Sequence, residues 1–382
     1  MGVTMIKKIL SAMAIGCAFW ACDSGSATIP TSPNKGNTST AVPVDYTLGR
    51  TMNAILGRGI NLGNSWESDG SDDGAWSNPI RDQDFTTIKK AGFNSVRIPV
   101  RWQNGSDYSY HTVDPNRLAG VIEDINLAIA NGLAVVVNFH HYTELNCAGG
   151  GGNGCTYNPT EYEAEKAHFL ALWAQVATAM NAFPDNMLVL EILNEPIIPN
   201  AERVDQLMND AYKVIRAAAP GKTIMFEAYH AAKFADLSML HLPQDGNIIF
   251  SGHYYEPYTY SHQGHGYECK GDATYVSTAD EDLLSYVGLA YKLYPDVNGI
   301  DQVPLNMGEF GVAGGDSSPC QWQEGEPPSA ARKAAWAKKA VQAAVKNGIS
   351  FHYWGFGYTG GFDAYEPNAE TWNTGFPEAL IF

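Results

Sequence analysis

Positive charge is scarce in this sequence. Lys and Arg number 24 against 41 Asp and Glu, giving a net charge of −17 over 382 residues. A surface of that sign repels polyphosphate, so nucleic acid is not an expected partner. It also repels anionic polysaccharide, whereas a neutral polymer meets no such barrier. Long hydrophobic runs are missing too. Ile9 to Ala21 is 13 residues, short of the roughly 20 that a spanning helix needs. No CxxC pair and no tight Cys/His spacing occurs, so neither a metal nor another cofactor is expected. No GxGxxG opens a helix, which argues against a dinucleotide fold. No strand-end Lys stands out as a Schiff-base former, and no Gly-rich phosphate loop follows a late strand. No internal repeat and no second domain are visible. The chain is expected to be a monomer.

The N-terminus carries Lys7 and Lys8, the apolar run, and then Ala21-Cys22. That order reads as an export signal over 1–21. A Ser/Thr/Pro/Gly-rich tether over 22–45 follows. A small residue, a cysteine and a polar tether resemble a bacterial lipoprotein signal with Cys22 as the lipidated residue. Cys17 is a rival position, and a plain secretory signal is the alternative. The expected location is the cell surface or outer membrane through a lipid anchor, otherwise the medium. Cys147, Cys155, Cys269 and Cys320 are an even set, as suits an oxidising compartment. Cys147 and Cys155 flank a Gly-rich stretch and are expected to pair, leaving Cys269 for Cys320.

From about Arg58, short apolar runs alternate with longer amphipathic ones. The expected strands are Gly59–Gly63, Ser95–Val100, Ala134–His140, Met187–Asn194, Thr223–Tyr229, Ile248–Tyr255, Val303–Phe310 and Ser350–Phe356. Helical patterns lie between them: Asp82–Ala91, Pro115–Asn131, Glu161–Phe183, Ala201–Ala219, Ala231–Leu240, Glu281–Tyr294 and Ala330–Asn347. A short last helix starts at Pro377. Continuous apolar strands separated by helices imply a parallel sheet covered by helices. Eight such units suggest closure, so the expected fold class is α/β, a (β/α)₈ TIM barrel forming a single catalytic domain over 46–382.

Barrel chemistry sits at the C-terminal ends of the strands. Seven of the eight expected strands carry or end in polar or aromatic residues there, a pattern hard to explain by packing, because each buried polar group needs a partner. Glu195 and Glu309 stand out as a reacting pair, since two carboxyl groups flanking a substrate can divide the work of proton donor and nucleophile. That division requires one to be protonated and the other ionised. Arg97 and Tyr255 are expected to hold Glu309 ionised, and Glu195 to have a raised pKa. His140 and His253 read as hydrogen-bonding supports.

These residues, in order, resemble glycoside hydrolase family 5, from Arg58 to the C-terminus. The resemblance rests on GINLGNSWE (Gly59–Glu67), VRIPV with Arg97, NFHH with His140 and His141, and LNEP with Asn194 and Glu195. It continues through HYYEP with His253 and Tyr255, GEFG with Glu309, and YWGFG with Trp354. It implies a retaining endo-glycosidase with Glu195 as acid/base and Glu309 as nucleophile. Arg97, His140, Asn194, His253 and Tyr255 support them, and Trp354 is a sugar platform. SHQG (Ser261–Gly264) looks like an endoglucanase segment with His262. Asn64, Glu67 and His141 are implied substrate contacts. The implied substrate is a β-linked polysaccharide, cellulose first, with mannan, xyloglucan or mixed-linkage glucan as alternatives. A non-catalytic glycan-binding barrel is the reading from a different class.

Overall fold

The structure is a computed structural model, and it describes residues 41–68, 78–263, 275–314 and 327–382. The leader, Cys22, most of the tether, Cys269 and Cys320 lie outside the described residues. No helix of the described residues is long and apolar enough to cross a membrane.

Eight parallel strands close into a barrel in chain order. They are β1 (Arg58–Asn61), β2 (Ser95–Ile98), β3 (Ala134–Asn138), β4 (Leu188–Glu191), β5 (Thr223–Glu227), β6 (Ile248–His253), β7 (Leu305–Glu309) and β8 (Ser350–Tyr353). Closure comes from pairing β1 with β8, Gly59 opposite His352. A Cβ on Gly59 would fall 2.2 Å from the His352 ring, so only glycine leaves room for that buried imidazole.

The helices are α1 (Thr47–Leu56), α2 (Asp82–Ala91), α3 (Pro115–Ala130), α4 (Thr143–Ala148), α5 (Pro159–Met180), α6 (Ala201–Ala218), α7 (Tyr229–Ala232), α8 (Tyr258–Ser261), α9 (Ala279–Leu293), α10 (Ala330–Lys346) and α11 (Glu378–Ile381). Local sequence sets several starts. Asp114 accepts from the N–H groups of Asn116 and Arg117, with Pro115 in the first turn of α3. Asn158-Pro159 repeats the device on α5, which is why that helix begins two residues before the expected Glu161. The expected helix Ala231–Leu240 is not continuous. His230 and Ala231 have left-handed backbone, and a 3₁₀ turn spans Phe234–Met239. Between them Lys233 is extended and bridges to His253, which takes the chain out of helical geometry.

Alternation along the strands divides the barrel interior into layers. At the N-terminal end, Ala134, Val136, Val189, Met225 and Ile249 form an apolar plug with Met52 and Leu56 of α1. Both α1 side chains are buried, each contributing about 1.5–3 kcal/mol. Helix α1 is therefore a floor for the barrel, a role the sequence pattern did not reveal. Two residues further along each strand the interior turns polar: Asn61, Arg97, Asn138, Glu191 and Glu227 are all buried. The site is built on this layer.

Cys147 and Cys155 are disulfide-bonded, with Cα atoms 5.0 Å apart. The loop they close leans on the segment that follows β4. The Ile197 N–H donates to Asn146 Oδ1 at 3.1 Å, and Gly149 and Gly151 lie where any Cβ would strike Ile198 or Ile197.

Candidate active site

Arg97 organises the polar layer. Its five N–H groups make five hydrogen bonds. Nε and Nη2 grip Glu191 at 2.8 and 2.7 Å. Nη1 donates to Asn61 Oδ1 and Glu309 Oε1, both at 2.9 Å. Nη2 also donates to Asn194 Oδ1 at 2.6 Å. Every guanidinium donor is thus satisfied inside a fully buried site. Burial alone would raise the pKa of Glu191, but the Arg97 charge and hydrogen bonds bring it down to about 2. Removing one partner from such a buried pair costs about 3–5 kcal/mol, so Arg97 holds this layer together.

Glu309 ends β7 and receives Arg97 on one oxygen and the Tyr255 hydroxyl, at 3.0 Å, on the other. Glu195 lies just beyond β4, its side chain 30% exposed. Its backbone is left-handed, with φ 45°, a conformation that costs a non-glycine residue about 1–2 kcal/mol. Glu227 on β5 offsets that cost by accepting the Glu195 N–H at 2.7 Å. A buried hydrogen bond contributes about 0.5–1.5 kcal/mol net, of the same size as the cost of the turn. His253, ending β6, places Nδ1 2.7 Å from Glu195 Oε1 and Nε2 3.0 Å from Glu227 Oε1. Oxygens of Glu195 and Glu309 and a nitrogen of His253 all lie within 4.8 Å of one another.

The charge balance runs against the expectation for both carboxylates. Burial, seconded by the Glu195 charge, pushes Glu309 up by more than His253, Arg97 and Tyr255 pull it down. Burial also raises Glu195, but the His253 hydrogen bond and the charges of His253, His141 and Arg97 more than offset it, leaving Glu195 lowered. Burial opposes the His253 cation, yet Glu309, Glu227 and Glu195 raise its pKa well above the ordinary histidine value. In the substrate-free site the proton expected on Glu195 therefore rests on His253. Glu195, His253 and Glu309 together could present a ligand set to a metal ion. However, both ring nitrogens of His253 are engaged by carboxylates, and a protonated ring offers no lone pair.

Around the pair, Trp354 lies parallel to His140, ring centroids 6.0 Å apart and 4° from coplanar. Its ring edge fills the space left by Gly63, where a Cβ would fall 2.6 Å away. Burial lowers the pKa of His140 well below the usual value, so it is neutral. His141 meets His140 edge-on at 4.0 Å. His262 stacks on Tyr258 at 3.9 Å and meets Tyr255 edge-on at 4.8 Å.

Asn64 and Glu67 stand apart in the loop after β1. The Asn64 amide donates to the Tyr358 carbonyl, 2.9 Å away. Glu67 does not face outward as expected of a sugar contact. It is fully buried, and its carboxylate accepts the backbone N–H groups of Asn64 and Ser65. Burial pushes it up to about 7 despite those bonds. It shapes the loop rather than the cleft surface. The residues that sequence reading missed are Glu191 and Glu227. Glu191 and Glu227 each left a signal, a lone charge inside an apolar strand, which always demands a partner.

A family model described as Cellulase (glycosyl hydrolase family 5) matches residues 56–360. Endoglucanase H of Acetivibrio thermocellus is 26% identical over 333 residues, covering 85% of this chain and 33% of that protein. The chain thus spans about a third of that relative's length. Among solved structures, Cel5A of Thermotoga maritima in complex with mannotriose superposes with a TM-score of 0.72 at 30% identity, covering 87% of this chain and all (100%) of that one. A Cel5A structure in complex with cellobiose gives 0.71 at 31% identity, with the same coverage.

Proposed function

The chain belongs to glycosyl hydrolase family 5, and from that premise we propose that it is a retaining endo-β-1,4-glucanase in which Glu309 attacks and Glu195 donates and then withdraws a proton. The observation that carries the reading is the spacing of the two carboxylates, with oxygens within 4.8 Å. Retaining enzymes hold the pair about 5–5.5 Å apart, whereas inverting ones leave about 6.5–9.5 Å for a water. The supports differ in a way that suits the roles. Glu309 is buried and gripped on both oxygens by Arg97 and Tyr255, which aims it and neutralises charge as it becomes a leaving group. Glu195 is the more exposed of the two and touches a proton source, as an acid that must reach a glycosidic oxygen does.

The sequence of steps follows. Glu309 attacks the anomeric carbon while Glu195 protonates the departing oxygen, leaving a glycosyl ester on Glu309. Glu195, now anionic, takes a proton from water as the water displaces Glu309. Asn194, held by Arg97, is proposed to bind a sugar hydroxyl beside the bond being broken.

Cellulose and related β-glucans are the proposed substrates, in line with the endoglucanase names of the relatives. The mannotriose and cellobiose complexes of Cel5A favour mannan as the second reading. Sugar release from carboxymethylcellulose, lichenan, xyloglucan and galactomannan tests this. Release is expected from the first two; release from galactomannan alone would reassign the substrate, and no release from any would sink the reading. The Cys147–Cys155 disulfide supports an exported enzyme, and the N-terminal signal pattern supports a cell-surface or secreted location.

Trp354 is proposed to floor the cleft under the sugar at the cleavage point. Its ring is already aligned by His140, so stacking requires little reordering. Trp354→Ala should lower kcat/KM about 10–100-fold, the equivalent of losing roughly 1.5–3 kcal/mol of apolar burial, without a large change in melting temperature. An unchanged kcat/KM would make this ring part of the core only.

A further inference from the structure

Glu227 has no part in the steps above, yet it is fully buried and touches the acid/base in two ways. One oxygen accepts the Glu195 backbone N–H at 2.7 Å. The other faces His253 Nε2 at 3.0 Å, while His253 Nδ1 reaches Glu195 Oε1 at 2.7 Å. The main chain and the carboxylate of Glu195 are thus both tied to Glu227, one directly and one through the imidazole. We infer that Glu227 is a positioning residue that acts through His253 to govern how Glu195 is loaded with its acid proton; this rests on the roles proposed above for Glu195 and Glu309.

The proton step balances within the three groups. The His253 imidazolium gives its Nδ1 proton to Glu195 Oε1. The N–H bond breaks, an O–H bond forms, and neutral His253 keeps its remaining proton on Nε2, donated to Glu227. That tautomer is favoured only where Nε2 faces an acceptor, and Glu227 supplies one. The net movement is one proton, with no outside reagent. The surroundings agree with this direction. Arg97 from β2 and His140 and His141 beyond β3 are cationic or neutral neighbours. Glu191 and Glu195 from the β4 segment and Glu309 from β7 supply negative charge, Glu227 from β5 turns a carboxyl oxygen to the ring, and Lys233 bridges the His253 backbone. Burial pushes Glu227 up to about 8 even with the His253 cation pulling it down, and Glu191 adds to the rise. The same cluster keeps His253 protonated near neutrality.

Glu227→Gln tests the inference with almost no change of shape. The Gln amide would donate toward Nε2 and select the Nδ1–H tautomer, which has no second proton to give. On an unactivated cello-oligosaccharide, kcat/KM should fall about 10–100-fold. On 2,4-dinitrophenyl cellobioside, whose leaving group needs no proton, it should fall less than about threefold. The basic limb of the pH profile with the unactivated substrate should move about one unit toward acid. Equal losses on both substrates, or an unmoved limb, would overturn the inference. A nitrogen-15 NMR titration of His253 in the full, unsubstituted chain gives a readout that does not depend on the variant's folding. Both ring nitrogens should carry protons at neutral pH; a neutral ring would overturn the inference. Failure of the unsubstituted enzyme on both substrates would sink the proposed function with it. An active enzyme with an indifferent Glu227→Gln variant would remove only the role of Glu227.

Discussion

Glu309→Gly should abolish turnover of every substrate, activated or not, by on the order of 10⁴-fold or more, which is about 5.4 kcal/mol of transition-state stabilisation. The expectation is large because no other carboxylate in the layer can replace it. Glu191 is locked in the bidentate grip of Arg97 and fully buried, and Glu227 is committed to His253 and the Glu195 backbone. The glycine variant leaves an anion-sized space lined by Arg97 and Tyr255, the two donors that held the lost carboxylate. Azide should enter it and attack the anomeric carbon in a single displacement. From a β-linked activated substrate the product is then the α-glycosyl azide, with Glu195 still in place as acid. Proton NMR of early products from the unsubstituted enzyme supplies the complement: a β-linked polymer should release the β-anomer first. Appearance of the α-anomer would mean single displacement by water, and would remove Glu309 from the role of nucleophile.

The barrel was legible in the sequence because its physics is local. Strands buried on both sides must be nearly all apolar, and runs such as Ala134–Val137 and Leu188–Leu190 read that way. Helix starts were legible where Asp114 precedes Pro115, since a side-chain cap and a proline in the first turn are both local. The two glutamates proposed to react stood out in the sequence because each lies at the end of an apolar run. Less local features were hidden. Glu191 sits four residues before Glu195 in the same apolar stretch, yet it faces Arg97 across the barrel, and only closure brings them together. Glu67 looked like a cleft residue because it ends a motif. The turn it belongs to curls its carboxylate back onto two backbone N–H groups, and no periodicity encodes that. The resting place of the proton was hidden for the same reason. Glu195 is lowered rather than raised because His253, nearly sixty residues later in sequence, lands within hydrogen-bond reach.

Glu195→Ala should separate substrates by the proton demand of their leaving groups. On a cello-oligosaccharide the departing oxygen is a poor leaving group, and loss of its proton donor should cost about 10²–10⁴-fold in kcat/KM. On 2,4-dinitrophenyl cellobioside the first step needs no proton, so the glycosyl ester on Glu309 should still form. Its hydrolysis then lacks the base that draws a proton from water. The ester should accumulate, giving a burst followed by slow turnover, with kcat and KM falling together. Azide needs no base to attack, so it should raise the slow rate, and displacement from the α-linked ester should yield the β-glycosyl azide. The stereochemistry is opposite to that expected from Glu309→Gly, so the two variants together assign both carboxylates without relying on either rate alone. His253 would lose its Nδ1 partner in this variant, and with it one of the negative charges that raise its pKa. The variant's His253 should therefore titrate lower than in the unsubstituted enzyme, a change NMR can follow. Equal rate losses on both substrates, no burst and no response to azide would show that Glu195 is not the acid/base, and would return the proton to His253 as the direct donor.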